Sequence, residues 1–153
     1  MTDQAAPQQQ FAIQKLYLKD ASLESPNAPA IFQEGQWQPE LNVQINTEAK
    51  TISENLHEVV LTITVTAKQK TSTAFLIEIK QAGLFSLSGF PQEQLGGMLG
   101  AYCPEVLFPF AREAICELAG KAGFPQLLLA PVNFNALYMA HQQKQAAKPE
   151  VAH

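Results

Sequence analysis

The chain has 153 residues, 46% of them hydrophobic and 16% charged, with a formal net charge of −4. That balance suits one globular domain with a buried core and argues against a disordered chain or a nucleic-acid binder, since no basic stripe interleaved with aromatics is present. The longest apolar run, "LFSLSGF", falls far short of the roughly 20 residues a membrane span needs, and "MTDQAAPQQQ" lacks the features of a signal peptide, so neither membrane insertion nor export of the chain itself is expected.

Residues 1–10 read as a flexible tail, 11–141 as one domain and 142–153 as a second tail. From Phe11 to about Gln81 the apolar period is two, and after Pro91 it is helical. In "FAIQKLYLKD", Phe11, Ile13 and Tyr17 share one parity while Leu16 and Leu18 share the other, which predicts a first strand covered on both faces. In "ELNVQINTE", Leu41, Val43 and Ile45 alternate with polar residues, the pattern of a half-buried second strand. "LHEVVLTITVTA" turns Val59, Leu61, Ile63 and Val65 inward, and "TAFLIEIKQ" turns Phe75, Ile77 and Ile79 inward with Leu76, Glu78 and Lys80 outward. Four strands with short polar links predict an antiparallel sheet with one apolar face, and the later helices predict an α+β fold in which they cover that face.

The connection "ASLESPNAPAIFQEGQWQP" is far longer than the usual ~4–6 residues. It carries Leu23, Ile31, Phe32 and Trp37, apolar side chains that serve either as a lid on the core or as a binding wall. "PQEQLGGMLGAYC" predicts a first helix weakened by its glycines, whose small size permits close backbone approach. Pro104 and Pro109 punctuate the chain, and "FAREAICELAGKAG" predicts a helix with Phe110, Ala114 and Leu118 along one side and Ile115 adjacent. "NALYMAHQQKQ" predicts a short last helix whose facing positions are Leu137, Tyr138 and His141.

Cys103 and Cys116 form no CxxC pair and read as two buried, reduced thiols. His57, His141 and His153 do not stand at motif spacing from a nucleophile or carboxylate, so no catalytic triad, metal site or cofactor is expected. "GAYCPEVLFPFARE" therefore reads as packing surface. Together with "AICELA" it displays more apolar area than one sheet and one helical layer require, which predicts burial between subunits.

Six ordered blocks carry a resemblance across almost the whole length: "FAIQKLYLKD", "SPNAP" with "WQPE", "VVLTITVTA", "TAFLIEI", "LGAYCPEVLFPFARE" and "FPQLLLAPVNFNALY". With them the chain resembles the SecB family of bacterial protein-export chaperones. The resemblance implies a cytoplasmic homotetramer, a dimer of dimers, that holds unfolded preproteins without ATP and delivers them to the SecA translocation ATPase. It implies that Asp20, Glu24, Leu76 and Glu78 contact SecA. Outward parity adds Glu58 to that acidic plate, and four copies at −4 each carry a formal −16, favouring a basic partner segment. Tyr17, Leu23, Phe32, Trp37, Phe134 and Leu137 are the expected contacts to unfolded clients, because a holding chaperone needs adaptable apolar surface rather than catalytic groups. A small-ligand binding protein with an aromatic lid is the alternative. Two departures stand out: the tail ends "KPEVAH" where family members often finish more acidic, and "QEGQW" places a glycine just before the neighbourhood of the tryptophan.

Overall fold

The computed structural model describes residues 8–147, so residues 1–7 and 148–153 of the expected tails, His153 among them, lie outside the described residues. Four strands, β1 (Gln10–Glu24), β2 (Glu40–Ser53), β3 (Leu56–Gln69) and β4 (Ser72–Ser88), form one antiparallel sheet in the order β1-β4-β3-β2. The strands outrun the alternating segments seen in the sequence. Links of two residues join β2 to β3 and β3 to β4, and they turn through left-handed backbone at Asn55 (φ 64°) and Lys70 (φ 57°).

Since β1 and β2 lie on opposite edges, the chain between them must cross the sheet, about 14 Å at ~4.8 Å per strand spacing. That crossing accounts for the long proline-rich connection. It is pinned to the β3–β4 hairpin: Ser25 Oγ donates to the Ala74 carbonyl (3.1 Å) and Asn27 Nδ2 to the Thr73 carbonyl (2.8 Å).

The expected parity of β1 is overturned. Gln14 and Lys19 are extra residues that shift the register with β4, so Phe11, Ile13, Leu16, Leu18, Ala21 and Leu23 all lie opposite odd-numbered β4 residues. Residues directly opposite share a face, and the odd β4 positions include the buried Phe75, Ile77, Ile79, Phe85 and Leu87. All six thus join one inner face, and among the large apolar and aromatic side chains of β1 Tyr17 points outward. Gln81 holds the irregular stretch by donating from Nε2 to the Tyr17 carbonyl at 3.2 Å.

The helical half is α1 (Gln92–Gly97), a π-helical turn (Met98–Tyr102) and α2 (Cys103–Lys121) in direct succession, then α3 (Phe134–Ala147). Pro104 and Pro109 do not end the helix. Pro104, with no N–H to give, falls just after the junction where the Cys103 N–H reaches five residues back to Met98, and Pro109 sits on the exposed side where water can bond the freed carbonyl. α2 packs across β4 and β3 through Cys103, Leu107, Phe108, Ala111, Ile115 and Ala119. This face is rotated from the expected line of Phe110, Ala114 and Leu118 toward the adjacent Ile115, which is buried, and Phe110 is 43% exposed, because the helix is apolar on several sides and periodicity alone does not choose among them. α3 also continues past the boundary expected at 141. Cys103 is fully buried, whereas Cys116 is only half-buried, so the expectation of two buried thiols holds for one of them.

Candidate client and partner surfaces

Two apolar sites lie on the helix side of the sheet. At the crossing end, β1 delivers Leu23 opposite Ile77, and the connection delivers Phe32 and Trp37. The ring of Trp37 lies 5.3 Å from that of Phe124 and 6.5 Å from that of Phe75, while Phe32 lies 5.2 Å from Phe124. Phe124 and Phe75 are 5.0 Å apart and both buried. Phe32 is 49% exposed and Trp37 half-buried, so the wall leaves part of its aromatic surface open to solvent over a buried aromatic floor. Phe124 was not singled out in the sequence, because it stands in a proline- and glycine-bounded link with no periodicity to read.

The second site is a cleft of about 650 Å³ between α3, the π-helical turn and β2, lined by residues that include Ile45, Leu99, Phe134, Leu137 and His141. Two aromatic anchors set α3 in place. Phe134 packs edge-on to Phe108 at 5.6 Å, and Tyr138 lies directly over Gly96 and Gly100. A Cβ on Gly96 would stand 2.7 Å from the Tyr138 hydroxyl oxygen, and one on Gly100 would stand 2.6 Å from its ring carbon Cε2. The glycines are a seat for that ring. Of the three expected facing positions only Tyr138 is well packed, while Leu137 is 47% exposed on the cleft wall and His141 is exposed there.

The six expected client contacts therefore divide. Leu23, Phe32 and Trp37 share the aromatic wall, Phe134 and Leu137 share the cleft, and Tyr17 lies on the opposite face of the sheet. There the Tyr17 hydroxyl donates to the Glu58 carboxylate, and Lys19 Nζ reaches the same group at 2.9 Å. Burial and the neighbouring carboxylate push the Tyr17 pKa up to about 12, and the bonds from Tyr17 and Lys19 hold the Glu58 carboxyl below its usual range.

The same outer face gathers Asp20, Glu24, Leu76 and Glu78. Glu24 lies opposite Leu76, Ser22 opposite Glu78 and Asp20 opposite Lys80, which makes one contiguous patch at the crossing end. Thr64 Oγ1 donates to Glu78 Oε2 at 3.3 Å. Glu58 does not belong to this patch. It lies opposite Leu84, about 20 Å along β4 from Glu78 at ~3.3 Å per residue, and its charge is taken up by Lys19. The patch and the aromatic wall stand back to back, because Leu23 and Glu24 are adjacent in one strand.

Further apolar side chains line the margins that α2 does not reach. Ile13 and Leu18 on β1, and Leu41 and Val43 on β2, lie on the inner face yet stay exposed, contrary to the half-buried reading of β2. Among the described residues no helix is long and apolar enough to cross a membrane.

A family model described as Preprotein translocase subunit SecB matches residues 4–145. A protein named Protein-export protein SecB from Nitrosococcus oceani is 56% identical over 155 residues, covering 99% of this chain and 94% of that protein. Another of the same name from Thioalkalivibrio sulfidiphilus is 58% identical over 133 residues, covering 86% and 79%. Among solved structures, a SecB-like chaperone of Mycobacterium tuberculosis in complex with a ChAD peptide from an antitoxin superposes with a TM-score of 0.66 at 17% identity, over 80% of this chain and 90% of that one. At that identity the likeness concerns the fold.

Proposed function

The chain belongs to the SecB family, and from that premise we propose that it is an ATP-independent holding chaperone for protein export. It binds unfolded preproteins, keeps them competent for translocation and hands them to SecA in the cytoplasm. The observation that carries this reading is the pair of apolar sites on one side of one sheet, the aromatic wall and the α3 cleft, continued by exposed apolar side chains along both open edges. Each large apolar side chain buried contributes roughly 1.5–3 kcal/mol, so several such contacts along a stretched client add up without reading its sequence. The open edges of β1 and β2 also offer unpaired backbone groups to an extended segment. A folded client hides its apolar side chains, so binding selects the unfolded form by mass action and needs neither nucleotide nor a catalytic group. The peptide held by the M. tuberculosis relative supports the same use of the fold.

Two finer assignments follow from this reading. The acidic patch of Asp20, Glu24 and Glu78 around Leu76 is the SecA contact, with Tyr17 and Lys19 bracing the outer face beside it. The exposed side of the long helix and the π-helical turn before it, with Tyr102, Pro109 and Phe110, packs between copies in a dimer of dimers.

The deciding experiment follows refolding of several slow-folding preproteins with near-equimolar tetramer and no nucleotide. Arrest of refolding, with the native forms left unbound, is the expected result, and unaltered refolding of all of them refutes the chaperone reading. Asp20→Lys and Glu78→Lys are expected to weaken SecA binding while tetramer mass and client binding persist. Full SecA affinity in both variants removes the patch assignment.

A further inference from the structure

The glycine before Trp37 and the end of β3 together form a device that the family resemblance does not assign. Gln69 is the last residue of β3, and only 3% of its surface is exposed. A buried amide is costly unless both its ends are bonded. Here both ends are bonded to one short piece of chain: Gln69 Nε2 donates to the Gln36 carbonyl at 2.6 Å, and Gln69 Oε1 accepts from the Gln38 N–H at 3.0 Å. These two peptide groups flank Trp37, so one side chain fixes the backbone on both sides of the half-buried aromatic. The segment otherwise lies outside regular structure, and it is entered through Gly35 at φ +82°, a conformation that side-chain-bearing residues rarely adopt. The neighbouring Ser72 hydroxyl, 3.5 Å from Glu34 Oε1, adds only a weak tie to the same stretch.

We propose that Gln69 is a positioning residue for Trp37, clamping the aromatic wall in its client-ready arrangement before any client arrives. The proposal rests on the reading of that wall as client-binding surface. Its physical content is pre-organisation: a binding surface populated only a fraction of the time loses affinity by that fraction. The clamp needs a donor and an acceptor at the fixed spacing of an amide, on a stem long enough to reach both groups. Leu fills the same space and bonds neither. Glu as a carboxylate keeps the acceptor for Gln38 but turns a negative oxygen toward the Gln36 carbonyl, whereas protonated Glu offers one donor and one acceptor, as Gln does.

Trp37 is the only tryptophan in the chain, so its fluorescence reports the clamp directly. The experiment compares the full-length protein with Gln69→Leu, Gln69→Glu and Trp37→Ala. It reads tryptophan anisotropy, acrylamide quenching and affinity for a carboxymethylated, permanently unfolded polypeptide, with circular dichroism as the control for folding. If the clamped arrangement falls to a tenth of the population, Gln69→Leu weakens binding about tenfold, while anisotropy drops and quenching rises. Gln69→Glu is expected to behave like Gln69→Leu at neutral pH and to regain the parent signal as the pH falls and its carboxyl protonates, a recovery that loss of packing alone does not give.

A folded Gln69→Leu protein with parent anisotropy and quenching overturns the clamp. Should that variant fail to fold, Gln69→Glu decides, and a tryptophan signal independent of pH overturns the clamp equally. Trp37→Ala separates the two readings. Unchanged affinity in that variant refutes the wall as client surface, while the anisotropy of the Gln69 variants still decides the clamp.

Discussion

Replacing Gly100 by Ala sets two known effects against each other. In a helix interior the change favours the folded state by about 1 kcal/mol, because Ala loses less backbone freedom than Gly. Gly100 has no positive φ to resist it, but the new Cβ would collide with the Tyr138 ring, standing 2.6 Å from Cε2 and closer still to Cδ2. The ring must leave its seat, and with it goes one of the two aromatic anchors of α3. Full burial of a large side chain contributes roughly 1.5–3 kcal/mol, so the half-buried Tyr138 forfeits about 0.75–1.5 kcal/mol. Net global stability should therefore change little, while docking of α3 weakens by enough to raise amide exchange in residues 134–147 about tenfold. In a Tyr138→Ala background the seat is empty, and Gly100→Ala should show its bare gain of about 1 kcal/mol. Urea unfolding of the four proteins gives the coupling, and hydrogen exchange locates it. An equal gain in both backgrounds, with α3 exchange unchanged, refutes the seating of Tyr138 on the glycine.

Three further outcomes are expected. Tyr17→Phe removes the donor to Glu58 and should cost about 1 kcal/mol at neutral pH, discounted for partial exposure. The parent's Tyr17 contribution is complete below pH ~10 and is lost as the pH rises toward about 12, and its Glu58 contribution is lost as the pH falls through the acidic range. Urea melts across pH should show both differences shrinking in Tyr17→Phe. Lys70→Gly relieves a left-handed residue in a tight hairpin, and the midpoint of urea unfolding should rise by the equivalent of about 0.5 kcal/mol after the entropy of Gly is subtracted. For the thiols, burial pushes Cys103 up to about 12, so iodoacetamide at pH 8 should label half-buried Cys116 first and reach Cys103 only in denaturant, as read by peptide mass mapping.

Alternation along residues 56–81 is enough to specify β3, the first half of β4 and the polar character of their outer face, because in a strand side-chain direction follows from count alone. The α+β class, the separation of Leu76 and Glu78 from the core, and the close approach allowed by the helix glycines follow from the same local rules. In β1 count fails, since two inserted residues reset the face twice and only pairing with β4 reveals them. In α2 the apolar surplus leaves several faces eligible, and the position of the sheet selects one. The division of the expected client residues into a wall and a cleft, the exile of Tyr17 to the outer face and the grip of Gln69 on either side of Trp37 depend on groups far apart in the chain. Chain-local chemistry set which residues are greasy and which are charged. Who meets whom was decided by strand order and register, because a buried hydrogen bond or a ring contact is a property of two positions in space and neither carries it alone.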